Sequence, residues 1–118
     1  YTTLFRSVES FLFMEGKCIV SYIRKKVMDF YGVKPKDLDG IVSQLRNTRG
    51  VEVAIFMYEL DQNVFKVSLR SGNEVDVSKI AGYFGGGGHE KASGVTMTGT
   101  PQDILNNLAE RIDEQLKG

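Results

Sequence analysis

Apolar positions along the chain follow two periods, and each stretch of one period predicts an element. Val8-Glu9-Ser10-Phe11-Leu12-Phe13 and Cys18-Ile19-Val20-Ser21-Tyr22-Ile23 are apolar runs separated by Met14-Glu15-Gly16-Lys17. That gap is hairpin-sized and contains a glycine, so two strands are predicted. Lys25 to Tyr31 reads as a short helix with Gly32 as its stop signal. Pro35 opens the next element, where Leu38, Ile41, Val42 and Leu45 share one helical face and predict a helix over 36–46. After Gly50, Val51 to Leu60 is nearly continuous in β-branched and aromatic residues, as in a strand covered on both sides. Asp61-Gln62-Asn63 turns the chain and Val64 to Arg70 returns. There Phe65, Val67 and Leu69 alternate with Lys66, Ser68 and Arg70, which puts the polar three on one face.

Val77, Ile80, Ala81 and Phe84 restore the helical period and lead into Gly85-Gly86-Gly87-Gly88. Val95 to Thr98 is a short strand. Thr100-Pro101-Gln102-Asp103 starts a helix, with Thr as cap, Pro at the first position and an acid at the third. Ile104, Leu105, Leu108, Ile112 and Leu116 form its buried stripe. The fold class is therefore α/β: a single compact domain with a mixed sheet of strands 51–60, 64–70 and 95–98, covered by helices on at least one face. The opening, Tyr1 to Ser10, has no clear cap or period and reads as a cut between domains of a longer protein. On that reading, residues 1–30 carry the end of an interdomain linker and the first hairpin and helix, and 31–118 the domain proper.

Fifteen basic and fifteen acidic residues leave no net charge. No broad electrostatic grip on duplex nucleic acid is therefore expected, while a local basic pocket for a small anion is not excluded. The single cysteine, Cys18, cannot form an internal disulfide, which suits a reducing, cytoplasmic setting. No apolar run approaches the roughly 18 residues that span a bilayer, and no signal peptide opens the chain, so no membrane partner is expected.

The segment Gly85 to Gly94 carries the most chemistry. Four successive glycines let backbone N–H groups turn inward around an anion, and a helical turn beginning at Gly88 or His89 would add its dipole. His89 at the mouth could donate to a phosphate oxygen or stack on a base. Glycine content alone is equally that of a flexible loop. The pattern is neither a P-loop, lacking Gly-Lys-Ser/Thr, nor a dinucleotide fingerprint, since it follows a helix. Arg70 offers a planar fork that matches phosphate bidentately, although a solvated edge-strand arginine reads the same way. Arg46 and Asn47 form a further polar cluster before Gly50, for which ordinary helix-end solvation also accounts.

Val51-Glu52-Val53-Ala54, Ser68-Leu69-Arg70-Ser71, Asp76-Val77-Ser78-Lys79-Ile80-Ala81, and Gly85 through His89 with Ala92 and Gly94 occur in that order and spacing. This set, over roughly residues 38 to 98, resembles the C-terminal DHH-associated domain of the DHH phosphoesterases. It is most similar to the oligoribonuclease and pAp-phosphatase branch, often labelled exopolyphosphatase-related. Ser93-Gly94 departs conservatively from the Ala-Gly of many relatives. The resemblance implies a separate N-terminal DHH domain as partner, in which Asp and His residues hold two metal ions, usually manganese. It also implies a nucleotide or short single-stranded oligonucleotide as ligand of this domain. Ser68 and Arg70 would contact the nucleotide; Gly86, Gly87, Gly88 and His89 would hold its terminal phosphate; Arg46 and Asn47 match less firmly.

Two-metal hydrolysis needs clustered carboxylates and histidines. This chain has one histidine and no Asp-His-His run, so alone it is expected to hydrolyse nothing. His89 is the one assisting catalytic candidate, by orienting phosphate or relaying a proton; with no carboxylate partner nameable from sequence, orientation is the favoured role. Two other readings stay open: a nucleotide- or cyclic-dinucleotide-sensing module without a catalytic partner, and a domain that forms a homodimer with a merely structural glycine loop.

Overall fold

The computed structural model describes residues 10–117. The N-terminal linker expectation, and the start of the first predicted strand at Val8, lie outside them. Strands β1 (Ser10–Phe13), β2 (Cys18–Ile23), β3 (Val53–Asp61), β4 (Val64–Ser71), β5 (Gly87–His89) and β6 (Ala92–Thr98) form one sheet in the order β1-β2-β3-β4-β6-β5. Helices α1 (Lys25–Tyr31), α2 (Ile41–Arg46), α3 (Val77–Tyr83) and α4 (Pro101–Lys117) complete the fold. The sheet is mixed: β2 runs parallel to β3, and every other pair is antiparallel.

The three-strand sheet expected from sequence is thus too small. The first hairpin joins it through β2, with α1 and α2 as the crossover that a parallel neighbour requires. The single helix expected over 36–46 is also divided. Pro35–Leu38 forms a 3₁₀ turn, and Gly40, at φ +91°, interrupts the run before α2 begins at Ile41. A residue in the left-handed region cannot be continued through an α-helix, so the apolar period survives while the helix does not.

β3 divides its side chains between two cores, which explains its unbroken apolar run. Val53, Ile55 and Met57 join Phe65, Val67 and Leu69 beneath Val77 and Ile80 of α3 and Ile104, Leu108 and Ile112 of α4. Ala54 and Phe56 face the opposite way, against Met28, Leu38, Ile41 and Val42. The α4 start is as expected: Thr100 Oγ1 accepts the Asp103 N–H at 3.1 Å, and Asp103 Oδ2 accepts the Thr100 N–H at 3.3 Å. Cys18 is fully buried, and its thiol is pushed up to about 12 by burial first and then by the charge of Glu52, so it stays protonated and unreactive.

Glu59 fastens the crossover to the sheet. Its carboxylate accepts from the backbone N–H groups of Lys25 (2.9 Å) and Asn63 (3.0 Å) and from Arg24 Nη1 (3.0 Å). Burial pushes its pKa up, but these donors outweigh burial and hold it below the ordinary value. A depressed carboxylate contributes stability above its unfolded-state pKa and loses it as pH falls through the folded one. Urea midpoints should therefore drop on acidification through the carboxylate range, and Glu59→Gln should flatten that limb. An acid limb of unchanged slope in the variant would refute the assignment.

Candidate phosphate-binding face

β4 buries Phe65, Val67 and Leu69 and leaves Lys66, Ser68 and Arg70 half-buried on its other side. Residues directly opposed in an antiparallel pair share one side of the sheet. The register therefore builds two neighbouring rows on that side: Ala54–Arg70–Ala92–His89, and Phe56–Ser68–Gly94–Gly87. Adjacent strands stand about 4.8 Å apart, so the Arg70 and His89 backbones are separated by about 10 Å with only the Ala92 methyl between them. Towards the sheet edge this side is open, with His89, Thr96 and Thr98 all exposed. Towards β3 it runs into a cleft of about 150 Å³ floored by Phe56, Tyr58, Ser68 and Arg70 and walled by Pro35 and Asp39.

The glycine run reaches this face differently from the sequence expectation. No helical turn begins at Gly88 or His89; the run leaves α3 and becomes the edge strand β5. The Gly85 N–H donates to Gly82 O (3.1 Å) and the Gly86 N–H to Ala81 O (2.7 Å), so both amides close the end of α3. A Cβ on Gly86 would overlap Gly94 O and stand 2.5 Å from Val95 Cβ. On Gly88, at φ +147°, it would stand 2.6 Å from both Ala92 O and Ser93 Cα. These two glycines let β5 lie against β6. Gly87 differs: a Cβ there meets nothing within 4 Å, and its register partner Gly94 lies in the row of Ser68.

Two serines and an acid fix the ends of these strands. Ser71 Oγ donates to Val75 O and Ser93 Oγ to Val77 O, each at 2.7 Å. Glu52 is buried, and its Oε2 accepts from the N–H groups of Gly72 (3.1 Å), Glu74 (2.9 Å) and Val75 (2.9 Å). Arg46 lies over the same turn: a Cβ on Gly72 would strike Arg46 Nη2 and Glu52 Oε1. Its Nε is buried without a hydrogen-bond partner. Asn47 is exposed at the end of α2. The structure thus gathers Ser68, Arg70, Gly87 and His89 on one face with Arg46 at its end, while Gly86 and Gly88 act from beneath.

The overall neutrality of the chain conceals a local imbalance. Arg24 is paired with Glu59, and Arg111 with Glu110 and Glu114. Among the described residues, the Arg70 side chain donates only to its neighbour's carbonyl, Leu69 O, at 3.1 Å. Among the described residues, no carboxylate forms an ion pair with Lys66 or Arg70, whereas Arg46 Nη2 stands beside Glu52 Oε1 over Gly72. A larger cavity, about 370 Å³, lies beyond the end of β4, lined by Glu74, Asp76 and Glu90 together with Lys79 and Lys91, so its charge is mixed with acids in excess.

The family model of the DHHA1 domain matches residues 15–118. The chain belongs to the DHHA1 domain family. Among its relatives, the bifunctional oligoribonuclease and PAP phosphatase NrnA of Thermus thermophilus is 35% identical over 82 residues, which are 69% of this chain and 25% of that protein. Oligoribonuclease NrnB of Bacillus subtilis is 35% identical over 115 residues, 89% of this chain and 29% of that protein. This DHHA1 domain therefore spans between a quarter and a third of those relatives. An exopolyphosphatase-related protein from Bacteroides fragilis shares the fold, with a TM-score of 0.82 at 22% identity over 92% of this chain and 32% of its own.

Two side chains of this DHHA1 domain escaped the sequence reading. Glu52 looks like a stray acid at the head of an apolar strand, and only the returning turn after β4 gives it partners. Lys66 was legible in the same alternation as Ser68 and Arg70, but nothing in the sequence shows where its ammonium lies. Among the described residues, no three His, Cys, Asp or Glu side chains come together to hold a metal ion. The two-metal centre that the resemblance implies belongs to the separate DHH domain, not to the described residues. No described helix is long and apolar enough to cross a membrane.

Proposed function

We propose that this DHHA1 domain seats the phosphate of a nucleotide or very short oligonucleotide for a metal-dependent phosphoesterase whose metal-binding DHH domain is a separate partner. The observation that carries this is the register row Arg70–Ala92–His89, in which Arg70 and His89 flank Ala92 on the same side of the sheet. Arg70 supplies a bidentate fork to the phosphate. His89 donates from the other side, Gly87 leaves the space side-chain-free, and Ser68 donates from the adjoining row. Two cations, manganese by resemblance, would be held in the partner domain and would supply Lewis-acid chemistry there. This domain's share is to hold the phosphorus still and to offset the negative charge that grows on its oxygens. NrnA and NrnB, both named as oligoribonucleases and NrnA also as a PAP phosphatase, favour short RNA or pAp as the ligand.

The test is a titration of the 118-residue chain with pAp, followed by amide chemical shifts. Shifts should concentrate at Ser68, Arg70 and Gly85 to Gly94. Arg70→Ala and His89→Ala should each weaken binding by about tenfold or more, as loss of a hydrogen bond to a charged group does. Unmoved amides at saturating pAp would rule out the phosphate seat.

A further inference from the structure

Lys66 carries an observation that the phosphate seat does not use. Its Cα stands four residues from Arg70 along β4, a distance of about 13 Å. The side chain, however, lies back along the sheet. A Cβ built on Gly94 would be 3.2 Å from Lys66 Nζ and 3.7 Å from its Cε. The ammonium is therefore over Gly94, inside the Ser68–Gly94–Gly87 row and one strand stride, about 6.6 Å, from the Arg70–Ala92–His89 row. Lys66 is half-buried, and among the described residues no carboxylate pairs with it. An ammonium laid across a glycine, with no acid paired to it among the described residues, can donate to an anion on the same face. Gly94 is what makes the room, since any side chain there would meet the lysine.

We propose that Lys66 reads a second phosphate, one nucleoside away from the phosphate held by Arg70 and His89. Two cationic positions one stride apart on an open face suit a nucleoside bisphosphate or a dinucleotide. A mononucleotide can occupy only one of them. This makes Lys66 a specificity determinant rather than part of the primary seat. The proposal rests on the phosphate seat described above, and the experiment separates the two.

The 118-residue chain is titrated calorimetrically with 5′-AMP and with pAp over a range of salt concentrations. Wild type should prefer pAp. Lys66→Gln should lower pAp affinity about tenfold, to the level of AMP, and leave AMP affinity within about twofold. Its slope of log affinity for pAp against log salt should shrink by about 0.7, as expected for one lost phosphate contact. Lys66→Arg should retain the preference, and thermal melts of both variants should match wild type. Equal losses for AMP and pAp, or no loss for either, overturn the role of Lys66. Arg70→Ala with AMP reports on the seat itself: undiminished AMP binding there overturns the primary reading whatever Lys66 does.

Discussion

Alanine at Gly86 or Gly88 is expected to destabilise the domain by about 2–4 kcal/mol, from backbone overlap at both and added left-handed strain at Gly88. Alanine at Gly87 is expected to leave stability within about 0.5 kcal/mol of wild type. The neighbours decide the difference. A methyl on Gly86 would overlap Gly94 O and crowd Val95 Cα at 2.8 Å, and one on Gly88 would crowd Ala92 O and Ser93 Cα. These are main-chain and Cα atoms of β6 that cannot rotate away, so β5 would have to separate from the sheet. A methyl on Gly87 meets no atom within 4 Å, but it enters the space in front of Ser68 and His89. Gly87→Ala should therefore melt normally and bind pAp several-fold more weakly, while the other two lose stability first. Urea unfolding of the three variants, with pAp titration of those that fold, checks this. Equal stabilities for all three would mean that β5 does not lie against β6 as described.

A second large effect is expected at Glu52, a residue with no part in ligand contact. Glu52→Ala removes the side-chain acceptor of the Gly72, Glu74 and Val75 N–H groups; Gly72 keeps its bond to the Glu52 carbonyl at 2.9 Å, so two donors, those of Glu74 and Val75, lose their partner. A buried donor left without a partner costs about 1–3 kcal/mol. Val75 is buried and Glu74 exposed, so water can re-solvate part of the turn but not all of it. The expected loss is about 2–4 kcal/mol, less than two full penalties at their upper end. Glu52→Gln keeps one acceptor oxygen and should lose about half as much. The turn it holds follows directly on Arg70 and lies beneath Arg46, so residual folded Glu52→Ala protein should also bind pAp more weakly. Denaturation midpoints measure the first effect, and a loss below about 1 kcal/mol would show that the hub is dispensable.

The two glycine classes show how far a sequence reading extends. Four glycines in a row announce that backbone must come close to something. They do not say whether that something is a ligand or a strand. Here Gly86 and Gly88 approach β6, Gly87 faces the open side, and the amides of Gly85 and Gly86 end α3. β5 itself was invisible beforehand, because glycine has little strand propensity and the segment pairs only because β6 lies alongside. Arg70, by contrast, was legible through simple alternation, since a period of two states which side of a strand a residue faces.

From the chain alone came the type of nearly every element, the Thr100 cap of α4, the double burial of β3 and the polar side of β4. All of these depend on spacing within one segment, where neighbours in sequence are neighbours in space. The tertiary structure decided which strands lie side by side, and hence that β6 sets Ala92 between Arg70 and His89, that Gly94 receives Lys66, and that the turn after β4 closes on Glu52. Those juxtapositions join residues up to 28 positions apart, between Lys66 and Gly94. Local period carries no information about them, because strand order is settled by how both cores pack at once and not by any one strand's pattern of side chains.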